Sequence, residues 1–334
     1  MSGAPLTTLP RVYLFADSHG FCIGGRDVSS VFDYSGLLNE VVQECRKHAE
    51  RGQLPSYIPE LKKADPQMAG VAMMTARGLF EAGDTRQNFT LQSISKVFSL
   101  LVALERRGVE VVFAKVGSEP TGDSFNSIVK LETSEQKPLN PMINAGAIAV
   151  CSLIPGASVE ERFSLISGLL ESILDRPIEI DEAVYLSEKE TGHRNRALAY
   201  FLKDINGLEG DVEEVLDLYF RQCSILVNCA DLARIGMFLA AKGINGAGTP
   251  IVSANAVRLV STFMVTCGMY NGSGEFAIQV GIPAKSGISG GILGVVPGQY
   301  GLATYGPALD RKGNSVVGIS MLRRLSDVLD FSIF

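Results

Sequence analysis

The sequence predicts an α+β fold, with strands and helices in different parts of the chain. Strand patterns lie near both ends, at residues 70–83 and 291–305, whereas helical patterns dominate from residue 95 to about residue 264. Segregated elements of this kind are typical of α+β proteins, while regular alternation would indicate parallel βαβ units. We therefore expect an antiparallel sheet, flanked by helices and built from both chain ends, with an all-helical lobe inserted between its strands.

Composition excludes several classes of protein. The chain has 334 residues, of which 46% are hydrophobic and 20% charged, as in ordinary globular proteins. Its net charge of -6 comes without a long basic run, so we expect no nucleic-acid partner. No apolar stretch is long enough to cross a bilayer, and the beginning of the chain lacks the pattern of a secretory signal. We therefore expect a cytoplasmic protein that binds no membrane.

Metal and redox chemistry are not indicated either. The six cysteines are scattered and include no C-x-x-C pair, which predicts reduced, buried thiols. The three histidines show no metal-ligand spacing. We expect neither a metal nor any other cofactor, and the shortage of histidine favours lysine or tyrosine as a catalytic base.

The first predicted elements are a helix and a hairpin. Residues 1–33 form an N-terminal extension to which we assign no role. Ser35 opens an amphipathic helix, and an extended loop with two prolines follows around Tyr57. Residues 70–83 are predicted to form a hairpin.

A series of helices is predicted for the middle of the chain. Ser187 is expected to cap one of them, with Glu190 three residues later completing a capping box. On that helix Glu188 and Asn195 are seven residues apart and would share a face. The other predicted helices begin near Asn144 or span residues 159–174, 211–222, 229–241 and 253–264.

The end of the chain returns to strands. Residues 275–280 are predicted to form one, and residues 291–296 and 300–305 form two more. We expect the chain to finish with a strand over 315–321 and a helix over 322–329.

The strongest chemical signal lies between Phe89 and Gly108, where Ser93 and Lys96 are spaced S-x-x-K. An extended approach to Ser93 is followed by the apolar run of a buried helix. Three residues apart on the first helical turn, the two side chains share a face, so the ammonium can reach the hydroxyl. The helix N-terminus favours the uncharged form of Lys96 and stabilises an anion forming at Ser93. A serine nucleophile needs a neighbouring base of this kind.

A single S-x-x-K match is weak, because an N-cap serine beside a solvated lysine gives the same pattern. A second motif, Lys285-Ser286-Gly287, heads a glycine-rich run much later in the chain. S-x-x-K followed by a distant K-[ST]-G is typical of the penicillin-recognising serine acyl-transferases. We expect both motifs at a boundary between two lobes, where small-molecule sites are common. The lobes are an α/β lobe of residues 34–94 and 267–334 and a mainly helical lobe of residues 95–266.

Four further polar residues have ordinary structural interpretations. Tyr57 could pack or hydrogen-bond at the surface, and Asn144 could cap a helix or lie in a loop. A glutamate in a first helical turn, as predicted for Glu188, complements the helix dipole. Tyr219 lies among apolar residues of a predicted helix, as a core tyrosine does.

The chain resembles the serine-dependent glutaminase family in its two motifs and in the stretches LQSISKVFSL, NPMINAGAI, VYLSEKETGHRNRALAYFL and GIPAKSGISGGI. The similar stretches run from about residue 53 to the C-terminus. The resemblance implies a β-lactamase/transpeptidase-like fold with the active site between the lobes. It also implies hydrolysis of L-glutamine to L-glutamate and ammonia through a serine acyl-enzyme intermediate, by a homodimer or a homotetramer.

The resemblance assigns roles to individual positions. Ser93 matches the nucleophile and Lys96 its partner in proton transfer, while Tyr57 and Tyr270 match tyrosines that line the catalytic centre. Main-chain N–H groups of Ser93 and Ile288 would hold the oxyanion. Lys285, Ser286 and Gly287 would support the centre. The positions that would bind the substrate are Ser93, Asn144, Glu188, Asn195, Tyr219, Tyr270 and Ile288.

Ser289 departs from the family pattern, which usually has glycine there. If the turn requires a positive φ at this position, serine would strain it and disturb the oxyanion site.

Two other functions stay open. One is a β-lactam hydrolase or peptidase on the same fold, and the other is a non-catalytic binding or sensing module that kept the pocket. Glu188 and the two asparagines favour a free amino acid over the substrates of the first, and the intact motifs argue against the second.

Overall fold

The main sheet is built from both ends of the chain. The computed structural model describes residues 32–55, 58–121 and 137–334. The strands are β1 (Gly70–Thr75), β2 (Gly78–Gly83), β3 (Phe89–Thr90), β4 (Leu226–Val227), β5 (Ala284–Ser286), β6 (Gly291–Val296) and β7 (Tyr300–Tyr305). Within the described ranges, five strands in the order β2-β1-β7-β6-β5 form an antiparallel sheet, and β3 pairs with β4 separately. The predicted antiparallel sheet from both chain ends is confirmed.

Most of the remaining elements are helices. They are α1 (Tyr34–Arg46), α2 (Lys96–Arg107), α3 (Val109–Lys115), α4 (Asn144–Ser152), α5 (Val159–Leu174), α6 (Glu182–Thr191), α7 (His193–Asp204), α8 (Val212–Cys223), α9 (Cys229–Ala240), α10 (Ala254–Cys267), α11 (Ser273–Gln279) and α12 (Val316–Leu329). Short 3-10 helices span Lys47–Arg51, Pro59–Lys63, Gln92–Ser95 and Tyr270–Gly272. Helices are thus confirmed at all the positions predicted before residue 270, although one of them begins elsewhere. Residues 1–31 of the predicted extension, and Tyr57, lie outside the described residues.

Strand pairing joins residues from opposite ends of the chain. β1 and β2 form the predicted hairpin, in which Thr75 lies opposite Gly78. On its other side β1 pairs with β7, where Val71 lies opposite Thr304. The edge strand β5 ends at Ser286, so the sheet itself carries the K-S-G motif.

Alternation along the strands divides the apolar core in two. Val71 and Met73 pack with apolar residues of α1 and α12, whereas the intervening Ala72 packs in the larger cluster with the helical middle of the chain. Helix α9 covers this second face, where it packs on β1, β6 and β7. Helices therefore cover both faces of the sheet, and the helical middle is in direct contact with it.

Helix α9 approaches the sheet at glycine positions. A Cβ on Gly301 of β7 would lie 2.0 Å from the Ala233 carbonyl oxygen, and one on Gly236 would lie 2.6 Å from that of Gly294. Backbone therefore packs on backbone, with no room for side chains between them. Because β4 directly precedes α9 and pairs with β3, this contact also positions the segment that leads to Ser93.

The strand predicted over 275–280 is wrong. These residues lie in α11 and its C-terminal cap, where Val280 N donates to the Phe276 carbonyl at 2.8 Å. The apolar alternation does not mark a buried strand face, since Ile278 is 88% exposed.

The strand predicted over 315–321 and the helix predicted over 322–329 are one helix, α12. The Ser315 side chain caps it by accepting a hydrogen bond from Gly318 N at 3.0 Å. Val317, Met321 and Leu325 are all fully buried, so one apolar stripe of helical period runs through the β-branched segment.

The helix predicted to start at Ser187 begins earlier, at Glu182. Its N-cap is Asp181, whose Oδ1 accepts a hydrogen bond from Val184 N at 3.0 Å. Ser187 and Glu188 therefore lie inside α6, and the predicted capping box is wrong.

The thiols agree with their prediction as far as they are described. Cys45, Cys151, Cys223, Cys229 and Cys267 are buried and free. In the described ranges no helix combines the length and the apolar character needed to span a membrane. The same ranges contain no group of three or more His, Cys, Asp or Glu side chains that could hold a metal ion.

The contact between α9 and β7 predicts a large cost for one added methyl group. Gly301→Ala should lower the free energy of unfolding by about 1–3 kcal/mol, as overpacking does, because its Cβ would collide with the Ala233 carbonyl. Gly168→Ala in α5 is the matched control, since nothing lies within 4 Å of its Cβ. Alanine there should raise stability by up to about 1 kcal/mol. Urea unfolding of both variants is the measurement, and a neutral Gly301→Ala would contradict the close packing.

Candidate active site

Ser93 lies in the 3-10 helix Gln92–Ser95, between β3 and α2. Just before this turn, Leu91 N donates to the Ile225 carbonyl at 2.8 Å, next to the β3–β4 pair. Ser93 is 7% exposed. Gln92 has a φ of +49°, which residues other than glycine seldom adopt. Strained backbone of this kind clusters at functional sites, so the turn presents Ser93 in a constrained position.

Lys96 is the first residue of α2 and is completely buried. Its Nζ donates to Asn144 Oδ1 at 2.7 Å and to the Met142 carbonyl at 3.2 Å. Burial lowers the pKa of Lys96 to about 8, and the neighbouring Cys223 and Glu188 oppose that shift. The amine therefore holds its proton weakly near neutral pH, which suits a group that accepts and returns a proton.

Tyr270 contacts Ser93 from the 3-10 helix Tyr270–Gly272. The tyrosine is buried, and its φ is +54°. Its hydroxyl donates to the Ser286 carbonyl at 3.2 Å, and the Ser93 hydroxyl lies close to it. Burial raises the pKa of Tyr270 well above its ordinary value, and the nearby Ser93 hydroxyl offsets part of that rise. Tyr270 therefore keeps a proton and can pass one on only by receiving another.

Lys285 packs against the Tyr270 ring, with its Nζ 4.6 Å from the ring centroid. The same Nζ donates to the Ser286 carbonyl at 2.8 Å and to the Gly268 carbonyl at 3.1 Å. Burial, followed by repulsion from Lys96, holds the pKa of Lys285 well below its ordinary value. Tyr270 and Lys285 thus share one carbonyl acceptor, which ties the tyrosine turn to the K-S-G strand.

Amide groups extend the site away from Lys96. Asn144, at the start of α4, donates from Nδ2 to Asn195 Oδ1 in α7 at 2.9 Å. Lys96 and the two predicted asparagines therefore form one hydrogen-bonded line.

The Glu188 carboxyl group is buried away from solvent. It is 6% exposed, and within the described part of the chain its Oε1 has no hydrogen-bond partner. Burial raises its pKa to about 7, against a hydrogen bond from Gln92 and the charge of Lys96. A buried acceptor without a partner is a suitable place for a cationic group of a ligand.

Glu188 and Asn195 do not share a helix, contrary to the prediction. Helix α6 ends at Thr191 and α7 begins at His193, with Gly192 between them. A Cβ on Gly192 would lie 2.6 Å from the Glu188 carbonyl oxygen. The two side chains come from separate helices that meet at this glycine, because the chain turns there instead of continuing a helical period.

The remaining predicted residues are placed as follows. Tyr219 is buried in α8, which packs against the 3-10 helix of Ser93. Ile288 is buried in a small apolar cluster with Tyr270. Tyr57 lies outside the described residues.

Ser289 is accommodated without backbone strain. The positive φ of this turn, +102°, falls on Gly290 and not on Ser289. The Ser289 hydroxyl donates to the Thr90 carbonyl at 2.6 Å. The disturbance expected from serine at this position is therefore wrong, and the serine contributes a hydrogen bond.

Two residues of the site were missed by sequence reasoning. Gln92 lies close to Glu188 and lowers its pKa, and Met142 offers its carbonyl to Lys96. The position of Gln92 directly before Ser93 was a signal that could have found it. A main-chain carbonyl has no residue signature, so Met142 could be found only from the structure.

Known proteins similar to this chain are described as glutaminases. The sequence model of a family described as Glutaminase matches residues 52–334. A glutaminase of Alkaliphilus oremlandii (strain OhILAs) is 51% identical over 301 residues, which cover 89% of this chain and 99% of that protein. The crystal structure of a probable glutaminase from Bacillus subtilis has a TM-score of 0.85 at 40% identity and covers 90% of this chain and 97% of its own. A Bacillus subtilis glutaminase in covalent complex with 5-oxo-L-norleucine, formed by reaction with 6-diazo-5-oxo-L-norleucine, has a TM-score of 0.82 at 37% identity; the match covers 90% of this chain and 99% of that one.

The dry position of Glu188 predicts that removing its charge stabilises the fold at high pH. Folding raises the pKa of Glu188 from 4.5 to about 7, so its ionisation costs stability as the pH rises between these values. Glu188→Gln should therefore be more stable than the wild type by about 3 kcal/mol at pH 8 and by less than about 1 kcal/mol at pH 5. Urea unfolding at both pH values measures the difference.

The matched control is Glu190→Gln, since Glu190 is an exposed glutamate on the same helix. Its stability should follow the wild type at both pH values. A gain in Glu188→Gln that is the same at pH 5 and pH 8 would contradict a raised pKa.

Proposed function

Since the chain belongs to the glutaminase family of enzymes, we propose that it hydrolyses L-glutamine to L-glutamate and ammonia through an acyl-enzyme intermediate on Ser93. The observation that carries the proposal is the position of the buried Ser93 hydroxyl beside Tyr270, three residues from a buried Lys96 with a lowered pKa. A serine with one partner that relays its proton and another that takes it up is equipped for nucleophilic attack.

The amino-acid end of glutamine is assigned to the polar groups beyond Lys96. Ionised Glu188 would bind the α-ammonium through its unpartnered oxygen, with a charge-assisted hydrogen bond. Asn144, Asn195 and Tyr219 would hydrogen-bond the α-carboxylate. The bound ammonium would in turn stabilise the charged form of Glu188, which burial disfavours.

In the first half of the reaction, Ser93 Oγ attacks the side-chain amide carbon and forms a C–O bond. Its proton moves through Tyr270 and Lys96 to the amide nitrogen, so the C–N bond breaks and ammonia leaves. Main-chain N–H groups of Ser93 and Ile288 would hold the oxyanion, and one such donor is worth about 2.7–4 kcal/mol in a comparable hydrolase. In the second half, water attacks the ester, L-glutamate leaves and the serine hydroxyl is restored.

The K-S-G residues support this chemistry. The Ser286 carbonyl accepts from both Tyr270 and Lys285, which holds the tyrosine where it can relay a proton. Gly287 lets the K-S-G motif approach the segment that leads to Ser93, since a Cβ on Gly287 would lie 2.6 Å from the Leu91 carbonyl oxygen. Tyr57 is assigned to the catalytic centre by family resemblance alone.

The homodimer or homotetramer and the cytoplasmic location stay predictions. Exposed apolar side chains support self-association, among them Ile278 in α11 and Phe334 at the C-terminus. The C-terminal residues lie beside the end of α11, because Ile333 N donates a hydrogen bond to the Gly281 carbonyl at 2.8 Å. Analytical ultracentrifugation distinguishes a monomer, a dimer and a tetramer.

The first test is ammonia release from L-glutamine and from L-asparagine. The wild type should act on glutamine in preference, because the amide carbon of asparagine is one C–C bond too close to the held amino-acid end. Ser93→Ala should lower kcat by at least about 10³-fold, as loss of a nucleophile does. Ser95→Ala, a buried serine of the same turn, is the matched control and should retain activity. Absence of release from the wild type would refute the proposal and favour a binding module.

The second test labels the nucleophile. 6-Diazo-5-oxo-L-norleucine should form a covalent adduct on Ser93, by displacement of nitrogen, as it forms one with the similar Bacillus subtilis glutaminase. Peptide mass spectrometry locates the adduct, and Ser93→Ala should remain unmodified. An adduct on Ser95, or on another residue, would refute Ser93 as the nucleophile.

A further inference from the structure

Two backbone turns meet beside Ser93. One is the serine turn, residues 90–95, and the other is the glycine turn, residues 287–290. The glycine turn is closed by hydrogen bonds from Gly287 N to the Gly291 carbonyl and from Gly290 N to the Gly287 carbonyl, both at 2.9 Å. The two turns touch at Gly287, where a side chain would collide with Leu91.

Ser289 connects the two turns by a side-chain hydrogen bond. Its hydroxyl donates to the Thr90 carbonyl at 2.6 Å, and the residue is 6% exposed. A buried hydroxyl bonded at this distance is protected from competition by water. It holds the peptide plane that follows Thr90, two residues before the strained Gln92.

Thr90 also contacts Gln92, which lies near the proposed substrate-binding residue Glu188. The Thr90 hydroxyl accepts a hydrogen bond from Gln92 Nε2 at 3.3 Å, and the Gln92 side chain also lies close to Glu188. The positive φ of Gln92 is unfavourable by itself and persists only where its surroundings over-determine it. The bond from Ser289 is one of the contacts that do so.

We propose that Ser289 is a positioning residue, whose hydrogen bond to Thr90 sets the spacing between the serine turn and the glycine turn. The inference rests on the proposed function, in which Ser93 N and Ile288 N, one from each turn, hold the oxyanion. Oxyanion donors act on the charge that develops in the transition state, so their misplacement lowers kcat without weakening substrate binding. In this proposal Ser289 acts only through the two turns and not by contact with the substrate.

The experiment compares Ser289→Ala, Ser289→Thr and Ser326→Ala with the wild type. Ser326 is the matched control, because its hydroxyl also donates to a main-chain carbonyl, that of Val280 at 2.8 Å, and it is 8% exposed. Threonine keeps the hydroxyl of Ser289. Because the φ of residue 289 is not in the left-handed region, threonine fits this backbone. Each variant is assayed for kcat and KM with L-glutamine, for the Kd of L-glutamate and for stability.

Ser289→Ala should lower kcat by about tenfold, since small misplacements of catalytic groups have effects of this order or larger. Its KM and its Kd for L-glutamate should change by less than about twofold, because neither ligand form carries the oxyanion. Ser289→Thr should restore kcat, and Ser326→Ala should leave it unchanged. A wild-type kcat in Ser289→Ala, an equal loss in Ser326→Ala, a rise in KM alone, or a loss that threonine does not restore would each overturn the proposal.

Amide hydrogen exchange keeps this test separate from the proposed function. In Ser289→Ala the hydrogen-bonded amides of Gly287 and Gly290 should exchange faster than in the wild type and in Ser326→Ala. Unchanged exchange overturns the positioning role even if kcat falls. A wild type that releases no ammonia refutes the proposed function, and the exchange rates then decide on the spacing of the turns alone.

Discussion

Complete burial of the Lys96 amine is the constraint on which the rest of the site depends. A cation without solvent is disfavoured by several kcal/mol unless polar groups replace the water. Asn144 Oδ1 and the Met142 carbonyl do so, with Glu188 as a nearby opposite charge. These groups come from separate segments, so the helical part of the chain must be assembled before the lysine can be enclosed. The same burial lowers the pKa of the amine. Burial of Lys96 therefore costs folding stability, and it makes the amine better able to give up its proton near neutral pH.

Glu188 is the counterpart of Lys96, since burial shifts the two pKa values towards each other, to about 7 and about 8. The neutral forms of both groups are therefore accessible near neutral pH. A ligand with an ammonium group would restore the charge on Glu188. This coupling is a physical reason to expect a free amino acid, rather than an acylated peptide, as the ligand in the proposed function.

The sheet supplies a fixed distance between the two motifs. β1 pairs with β7, which brings both ends of the chain into one sheet, and α9 packs on that sheet through Gly236 and Gly301. Since β4 precedes α9 and pairs with β3, the serine turn is tied to the same framework. Two of the non-glycine residues with a positive φ, Gln92 and Tyr270, lie next to Ser93, where this framework can hold the strain.

Signals that are local in the chain were readable from the sequence: the hairpin at 70–83, the helix over 159–174, and a serine and a lysine one helical turn apart. Predictions from the sequence were wrong where packing partners from elsewhere in the chain decide between a helix and a strand. The alternation over 275–280 indicates a strand only if its apolar face is covered along its whole length, but Ile278 on that face is exposed to solvent. Helix α12 continues through β-branched residues because its apolar stripe packs in the core. The sequence by itself thus determined which reactive groups the protein has and which of them lie on one turn. Only the tertiary structure decided which of them are dry and which touch, because desolvation and hydrogen bonding across the fold arise from segments far apart in the chain.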